Sequence, residues 1–331
     1  MATLKDVARI ACVDVSTVSR ALNNTPNVHP KTKERVISAA RELGYRPNLL
    51  AKSLRKGRSR TLGVVVPRIQ LTLFADVIEG VEREARRLGY AVVICGTDDD
   101  GEIEGGELDR LRDGLVDAVI IAATARNGRL LQDIAAQGIA VTQVVRLQEY
   151  ALDSVVADYD ACGYEAVRFL AAKGCRRIGL INGPVEFWPY KGRLQGYRRA
   201  LKELGLPEIT AVAGEDCNSF EYGKSAAERL LDEDPELDAI MTAVDVQGMG
   251  AMRALRDRGL ACPGDVRLMS LTGHSIGALL ETPMTSMEVP AVEIGEKAAR
   301  MSIERIEAPA RSGNARQHLV FPPTLVERQT T

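Results

Sequence analysis

TLKDVARIACVDVSTVSRALN, residues 3–23, is the stretch from which the rest of the chain is read. Leu4, Val7, Ala8 and Ala11 recur at helical spacing, so a short first helix can bury one face. Cys12, Val13 and Asp14 break that pattern. Asp14 suits the N-cap of a second helix, because its carboxylate can accept first-turn N–H groups. In that helix Val18, Ala21 and Leu22 face inward, which leaves Val15, Ser16, Thr17, Ser19, Arg20 and Asn23 outward. Two short helices on a tight turn, the second displaying small polar groups and an arginine, make a helix-turn-helix. Pro30 and Thr32 then open a third helix over about 31–43, with Val36, Ala40 and Leu43 inward and Gly44 suited to its end.

The charge is divided along the chain. The 331 residues carry a formal net charge of −2, yet residues 1–60 hold 13 Lys/Arg against 4 Asp/Glu and the remainder hold 30 against 41. A basic end on an acidic body points to nucleic-acid binding by that end. A plain helical cap over 1–46 would leave the asymmetry unexplained. Residues 47–60, PNLLAKSLRKGRSR, hold five basic residues and no acid and read as a linker. Leu50, Ala51 and Leu54 give it one apolar face if it becomes helical, and so short a helix is marginal on its own.

From residue 61 apolar strands alternate with helical patterns. One series is 62–66, 91–95, 116–122 and 139–145; a second is 177–182, 210–213, 238–243 and 266–271. Residues 290–307 form a further helix and 318–321 a further strand. Continuous apolar strands between helices imply parallel sheets covered on both faces. The fold class is thus an N-terminal all-α helix-turn-helix domain plus an α/β two-lobed core of two parallel sheets. In such sheets a ligand sits beyond the carboxyl ends of the strands, here between the lobes.

Strand ends supply the candidates for that ligand. Arg68 and Phe74 follow the first strand, and Arg146 and Gln148 the fourth. After residues 180–182 comes a loop with Phe187, Trp188 and Tyr190, leading to Arg193, in a chain with only 4% aromatics. Aromatic faces on sugar rings with an arginine on hydroxyls are a carbohydrate-binding solution.

Other chemistry finds little support. Gly273–His274–Ser275–Ile276–Gly277 is a G-x-S-x-G string, but no Asp follows Ser275 and the only later histidine is His318. A serine hydrolase using Ser275 is a distant alternative, and no enzyme is expected. Asp98–Asp99–Asp100–Gly101–Glu102 lacks the calcium-loop glycine spacing and reads as a solvated loop. Six scattered cysteines and three distant histidines make no metal set, and no phosphate-binding glycine loop appears, so no cofactor is expected. No apolar run approaches the ~20 residues that span a membrane, and the start has no signal-peptide core; the expected location is cytoplasmic.

KDVARIACVDVSTVSRALNN at 5–24, Tyr45–Arg46–Pro47–Asn48, AKSL at 51–54 and LGVVVP at 62–67 together resemble the lactose-repressor (LacI/GalR) family of bacterial regulators. The resemblance covers essentially the whole chain. Cys12 stands where the family usually has glycine. The resemblance implies a DNA-binding domain at 1–46, a hinge at 47–60, and a periplasmic-binding-protein-like effector and dimerisation core at 61–331. Lobe 1 would span about 61–159 plus 290–320, and lobe 2 about 160–289 plus 321–331. It implies a repressor of carbohydrate genes that binds a pseudo-palindromic double-stranded operator as a homodimer. No heptad tail follows Val326, so a dimer is expected. The second helix would enter the major groove, with Arg20 on guanine, Val15 and Ser16 on base edges, and Thr17, Ser19 and Asn23 on phosphates. Leu54, flanked by Lys52 and Arg55, would wedge into the minor groove. Arg193 matches the effector-gripping arginine of the family. Asp245 follows Val244 where many members have Asn-Asp, and Thr272 and His274 fall where many have an aspartate. The effector would be a mono- or disaccharide; the LTGHSIGALLET and MTSMEVP segments are also similar to those of members that regulate sucrose and related disaccharides. A purine or nucleoside co-repressor is the alternative.

Overall fold

The computed structural model describes residues 2–22, 28–45, 58–212, 217–273, 275–308 and 315–331. It separates into two compact units, Met1–Ser59 and Arg60–Thr331.

The first unit holds α1 (Leu4–Ala11), α2 (Val15–Leu22) and α3 (Pro30–Glu42). Thr3 and Asp6 form a reciprocal capping box: the Asp6 amide donates to Thr3 Oγ1 at 3.3 Å and the Thr3 amide donates to Asp6 Oδ2 at 2.9 Å. These bonds hold the Asp6 carboxyl below its ordinary range. Cys12 ends α1 in the left-handed conformation, φ 50° and ψ 53°, which suits glycine because it has no Cβ to clash. The Asp14 carbonyl takes the first-turn amides of Thr17 and Val18. Val7, Ala8, Ala11, Val18, Ala21, Val36, Ala39 and Ala40 form the core. It is built of small side chains, so the three helices pack closely.

The second unit is two lobes. In lobe 1, β1 (Thr61–Val66), α4 (Thr72–Arg87), β2 (Ala91–Gly96), α5 (Gly101–Arg112), β3 (Ala118–Ile121), α6 (Gly128–Ala136), β4 (Ala140–Val144) and β5 (Asp153–Ala157) alternate along the chain. Lobe 2 continues with α7 (Tyr159–Ala172), β6 (Ile178–Asn182), α8 (Trp188–Leu204), β7 (Ile209–Val212), α9 (Phe220–Glu233), β8 (Ala239–Thr242), α10 (Asp245–Asp257), β9 (Arg267–Gly273), α11 (Ser275–Ala278) and β10 (Thr285–Glu288). The chain returns to lobe 1 for α12 (Ala291–Glu307) and β11 (His318–Phe321), then ends in lobe 2 with β12 (Thr324–Val326). The sheet orders are β11-β5-β4-β3-β1-β2 and β12-β10-β9-β8-β6-β7. The chain therefore passes between lobes three times, near Asp158, Val289 and Pro322.

Three strands escaped the sequence pattern: β5, β10 and β12. β10 reads TSME, and its Thr285 and Ser286 are buried. Residues of the C-terminal segment satisfy them: the Thr285 amide donates to Thr330 Oγ1 at 2.9 Å, and Arg328 Nη1 donates to Ser286 Oγ at 2.8 Å. β12 pairs antiparallel with β10, so the second sheet is mixed where a parallel one was expected.

Helices in both lobes touch backbone to backbone. A Cβ on Gly80 would lie 2.0 Å from the Val292 carbonyl oxygen, and one on Gly295 2.1 Å from that of Val77, which locks α4 to α12. Gly163 and Gly196 do the same for α7 and α8, as do Gly223 and Gly250 for α9 and α10. Glu84 adds an ionic tie in lobe 1, accepting from Arg87 Nε at 2.7 Å and from Arg300 Nε at 2.8 Å.

Candidate functional site

In the N-terminal unit the exposed face of α2 carries Val15, Ser16 and Arg20, with Thr17 and Ser19 half-buried beside them. Val15 is 40% exposed, unusual for a valine at the start of a helix with so small a core to join. Arg20 Nη2 approaches Ser16 Oγ at 3.5 Å, so the two groups share one face a turn apart. Asn23, Lys52, Leu54 and Arg55 lie outside the described residues.

Between the lobes is a cavity of about 280 Å³. Lobe 1 contributes Phe74 at the start of α4 and Arg146 after β4; lobe 2 contributes Tyr190, Arg193, Asp245 and Thr272. These six sequence-selected residues are brought together because each lies at or beyond the carboxyl end of a strand, Thr272 still within β9 and the others after theirs, where parallel sheets open their crevice.

Arg193 is 1% exposed. Its Nη2 donates to Thr272 Oγ1, and its guanidinium lies between two rings, 4.7 Å from the Tyr159 centroid and 5.6 Å from that of Tyr190. Its Nε is buried with no hydrogen-bond partner. Tyr190 is fixed in turn: its hydroxyl donates to Asn218 Oδ1 at 2.8 Å, and its carbonyl accepts from Asn182 Nδ2 at 3.0 Å. Burial pushes the Tyr190 phenol well above its usual range, so it stays a neutral donor. Gln247 braces the floor, accepting from the Ala243 amide at 2.9 Å and donating to the Cys217 carbonyl at 2.8 Å.

The opposite wall is built differently. Val145 has φ 63°, and the Arg146 amide bonds back to the Val144 carbonyl at 2.5 Å. This is a tight γ-turn with a β-branched residue at positive φ, a sparsely populated conformation. It aims Arg146 into the cleft. Arg146 Nη1 donates to Asp99 Oδ1 at 2.5 Å, and the guanidinium stacks 4.1 Å from the Phe187 centroid across the lobes.

Several placements differ from expectation. Trp188 does not line this cavity. It lines a second one of about 380 Å³ with Tyr150, Lys191, Gln195 and His318. Phe187 reaches the cleft indirectly, beneath Arg146 and edge-on to Tyr190. The acidic run is not merely solvated: Asp99 turns in to Arg146, and Asp100 caps α5 through the Glu102 and Ile103 amides. His274 and the side chain of Ser275 lie outside the described residues. His318 bonds to Ser154 at 2.9 Å between β11 and β5. Gln70, Asn218 and Met249 also line the cleft and were missed. Met249 falls one turn beyond Asp245 on α10, a spacing that was available; Asn218 sits in a loop with no periodic signal. Among the described residues no group of acids, histidines and cysteines could hold a metal, and no helix is long and apolar enough to cross a membrane.

Comparison with known proteins reads both parts. Residues 3–48 match the family described as bacterial regulatory proteins, lacI family, and residues 59–321 match periplasmic binding proteins and sugar binding domain of LacI family. The chain belongs to the LacI family of bacterial regulatory proteins. Its head and two-lobed core are those of a DNA-binding transcriptional regulator. This LacI-family chain is 31% identical to the HTH-type transcriptional regulator DegA of Bacillus subtilis, over 99% of this chain and 98% of that protein. It is 30% identical to the ribose operon repressor of Escherichia coli, over 99% of both. Among solved structures, a transcriptional regulator CelR–cellobiose complex matches at TM-score 0.75 and 29% identity over 100% of both chains.

Proposed function

We propose that this LacI-family regulator is a cytoplasmic homodimeric repressor, not an enzyme, whose grip on a pseudo-palindromic operator is set by a small sugar-derived effector held between its lobes. The observation that supports it most is Arg193. A buried guanidinium fixed by Thr272 between two tyrosine rings is a preorganised ligand anchor on one lobe, and Phe74 and Arg146 face it from the other. A ligand that bridges both walls favours one lobe geometry over another, and its differential affinity is the coupling free energy, typically ~1–3 kcal/mol. The cleft volume, about 280 Å³, lies at the small end of ligand pockets and suits one or two sugar rings.

On the DNA side the reading assigns base edges to Val15, Ser16 and Arg20, phosphates to Thr17, Ser19 and Asn23, and the minor-groove hinge to Lys52, Leu54 and Arg55. The test is operator selection from genomic fragments, followed by binding titrations with and without sugars, purines serving as controls. Affinity should fall steeply with salt, and one sugar class should shift it. Arg20→Ala should relax specificity at one base pair, by about 1–3 kcal/mol. Equal weakening on every sequence would reject the base contact, and no selectable operator would reject the regulator reading.

A further inference from the structure

We propose that the second cavity, about 380 Å³, is a further ligand site, that it takes an uncharged aromatic ring carrying a hydroxylated tail, and that its occupant biases the angle between the lobes. No residue lines both this cavity and the cleft. Lobe 1 supplies Tyr150, ahead of β5, and His318 on β11; lobe 2 supplies Trp188, Lys191 and Gln195 from the first turns of α8. Asp158 and Tyr159, where the chain passes between the lobes, complete the wall. A ligand that touches both walls binds one lobe angle better than another, and that difference is what moves a two-state equilibrium. The cavity is also joined to the effector anchor. Tyr159 lines it and holds its ring 4.7 Å from the Arg193 guanidinium. Helix α8 carries Trp188 and Lys191 toward this cavity and Tyr190 and Arg193 toward the cleft.

The lining names the ligand chemistry. The chain has one tryptophan and 4% aromatics, yet Trp188, Tyr150, Tyr159 and His318 gather here. Tyr150 is 66% exposed, with its ring edge-on to His318 at 6.1 Å, and Trp188 packs only partly against the core. Aromatic walls with a few polar groups are the usual make-up of sites for ring compounds. Among the described residues the Trp188 indole N–H, the Lys191 ammonium and the Gln195 side-chain amide make no hydrogen bond or ion pair. The first two donate, and the amide both donates and accepts. Hydroxyls also do both, so a hydroxylated tail meets all three. The charges leave nothing for an ion to neutralise. Asp160 is paired with Arg199, and Asp158 caps α7 by accepting from the Ala161 amide at 2.9 Å, with Lys191 on the same wall to offset it.

The single tryptophan reports on its own site. Trp188 emission and calorimetry on the full chain, with phenyl β-glucoside, adenosine and cytidine set against glucose and ribose, test the proposal. At least one ring-bearing compound should change Trp188 emission saturably and bind about tenfold tighter than its bare sugar; whether it is the glucoside or a nucleoside names the source. Tyr150→Ala and Gln195→Ala, both at exposed positions, should each weaken it about fivefold, whereas Asp245→Asn in the cleft should move it less than about twofold. The bound compound should change affinity for the selected operator about threefold or more. Binding by no ring compound overturns the site, as does a bare sugar that binds equally well with the same emission change. Binding that follows Asp245→Asn and ignores Tyr150→Ala overturns it too, and places the compound in the cleft. Saturable binding with operator affinity unchanged overturns the regulatory role.

Discussion

The two walls of the cleft are made on opposite principles. On lobe 2, each polar group is held by another: Asn182 by the Tyr190 carbonyl, Tyr190 by Asn218, Arg193 by Thr272, and Gln247 by the strand end at Ala243. On lobe 1, a strained γ-turn at Val145 presents one arginine, steadied by a loop in which Asp98 and Asp99 also have positive φ. The first wall is a preorganised anchor. The second stores backbone strain and touches lobe 2 through the Arg146–Phe187 stack.

That contrast can be broken at its strongest point. Arg193→Met keeps much of the bulk and removes the buried charge; effector binding by calorimetry should fall roughly 100-fold, since charged hydrogen bonds and desolvated anchors dominate such sites. Operator binding without effector should hold. Acid tests the scaffold of the other wall. Hydrogen bonds from Arg87, with Arg300 adding to them, hold the Glu84 carboxyl at about 2, against an ordinary 4.5. Because the folded value is the lower, the stabilisation is complete above pH 4.5 and is lost as pH falls toward 2. Thermal melts of Glu84→Gln should lose stability at pH 7 and show a shallower acid slope than the native chain. Phe187→Leu removes the aromatic face under Arg146. It should weaken the tie between walls by about 0.5–2 kcal/mol, read as a smaller effector-induced change in operator affinity with effector binding less affected. Smallest is Cys12→Gly in the head: it relieves a left-handed residue and should stabilise the chain by about 0.5–1 kcal/mol in denaturant melts.

The head was legible because a helix core obeys a local period: Val7, Ala8 and Ala11 on one helix and Val18 and Ala21 on the next are buried as their spacing requires. The cleft was legible to the extent that strand ends are. Arg146, Tyr190, Arg193 and Asp245 each follow one, and Thr272 stands at the end of β9. Trp188 shows where that reasoning stops. Neighbours on a helix point about 100° apart, so Trp188, Lys191, Gly192 and Gln195 form one face of α8 while Pro189, Tyr190 and Arg193 form another. An aromatic cluster in sequence is thereby divided between two cavities. Asp99 was illegible for a different reason: its partner stands 47 residues on, and no local pattern connects them. β10 hid because two of its three buried side chains, Thr285 and Ser286, are hydroxyls, satisfied by a segment more than 40 residues away.

The reciprocal glycines carry a consequence for how this chain can vary. Gly80 with Gly295, Gly163 with Gly196, and Gly223 with Gly250 are six sites where even a methyl group collides with backbone, and backbone cannot be repacked by choosing another rotamer. A saturation-mutagenesis library scored for expression should show six empty columns there, paired across helices, beside permissive columns at the cleft-facing loop positions. New effector specificities would then be reached through the loops and the helix positions that face the cleft, while these six helix contacts behave as fixed castings that drift and selection leave untouched.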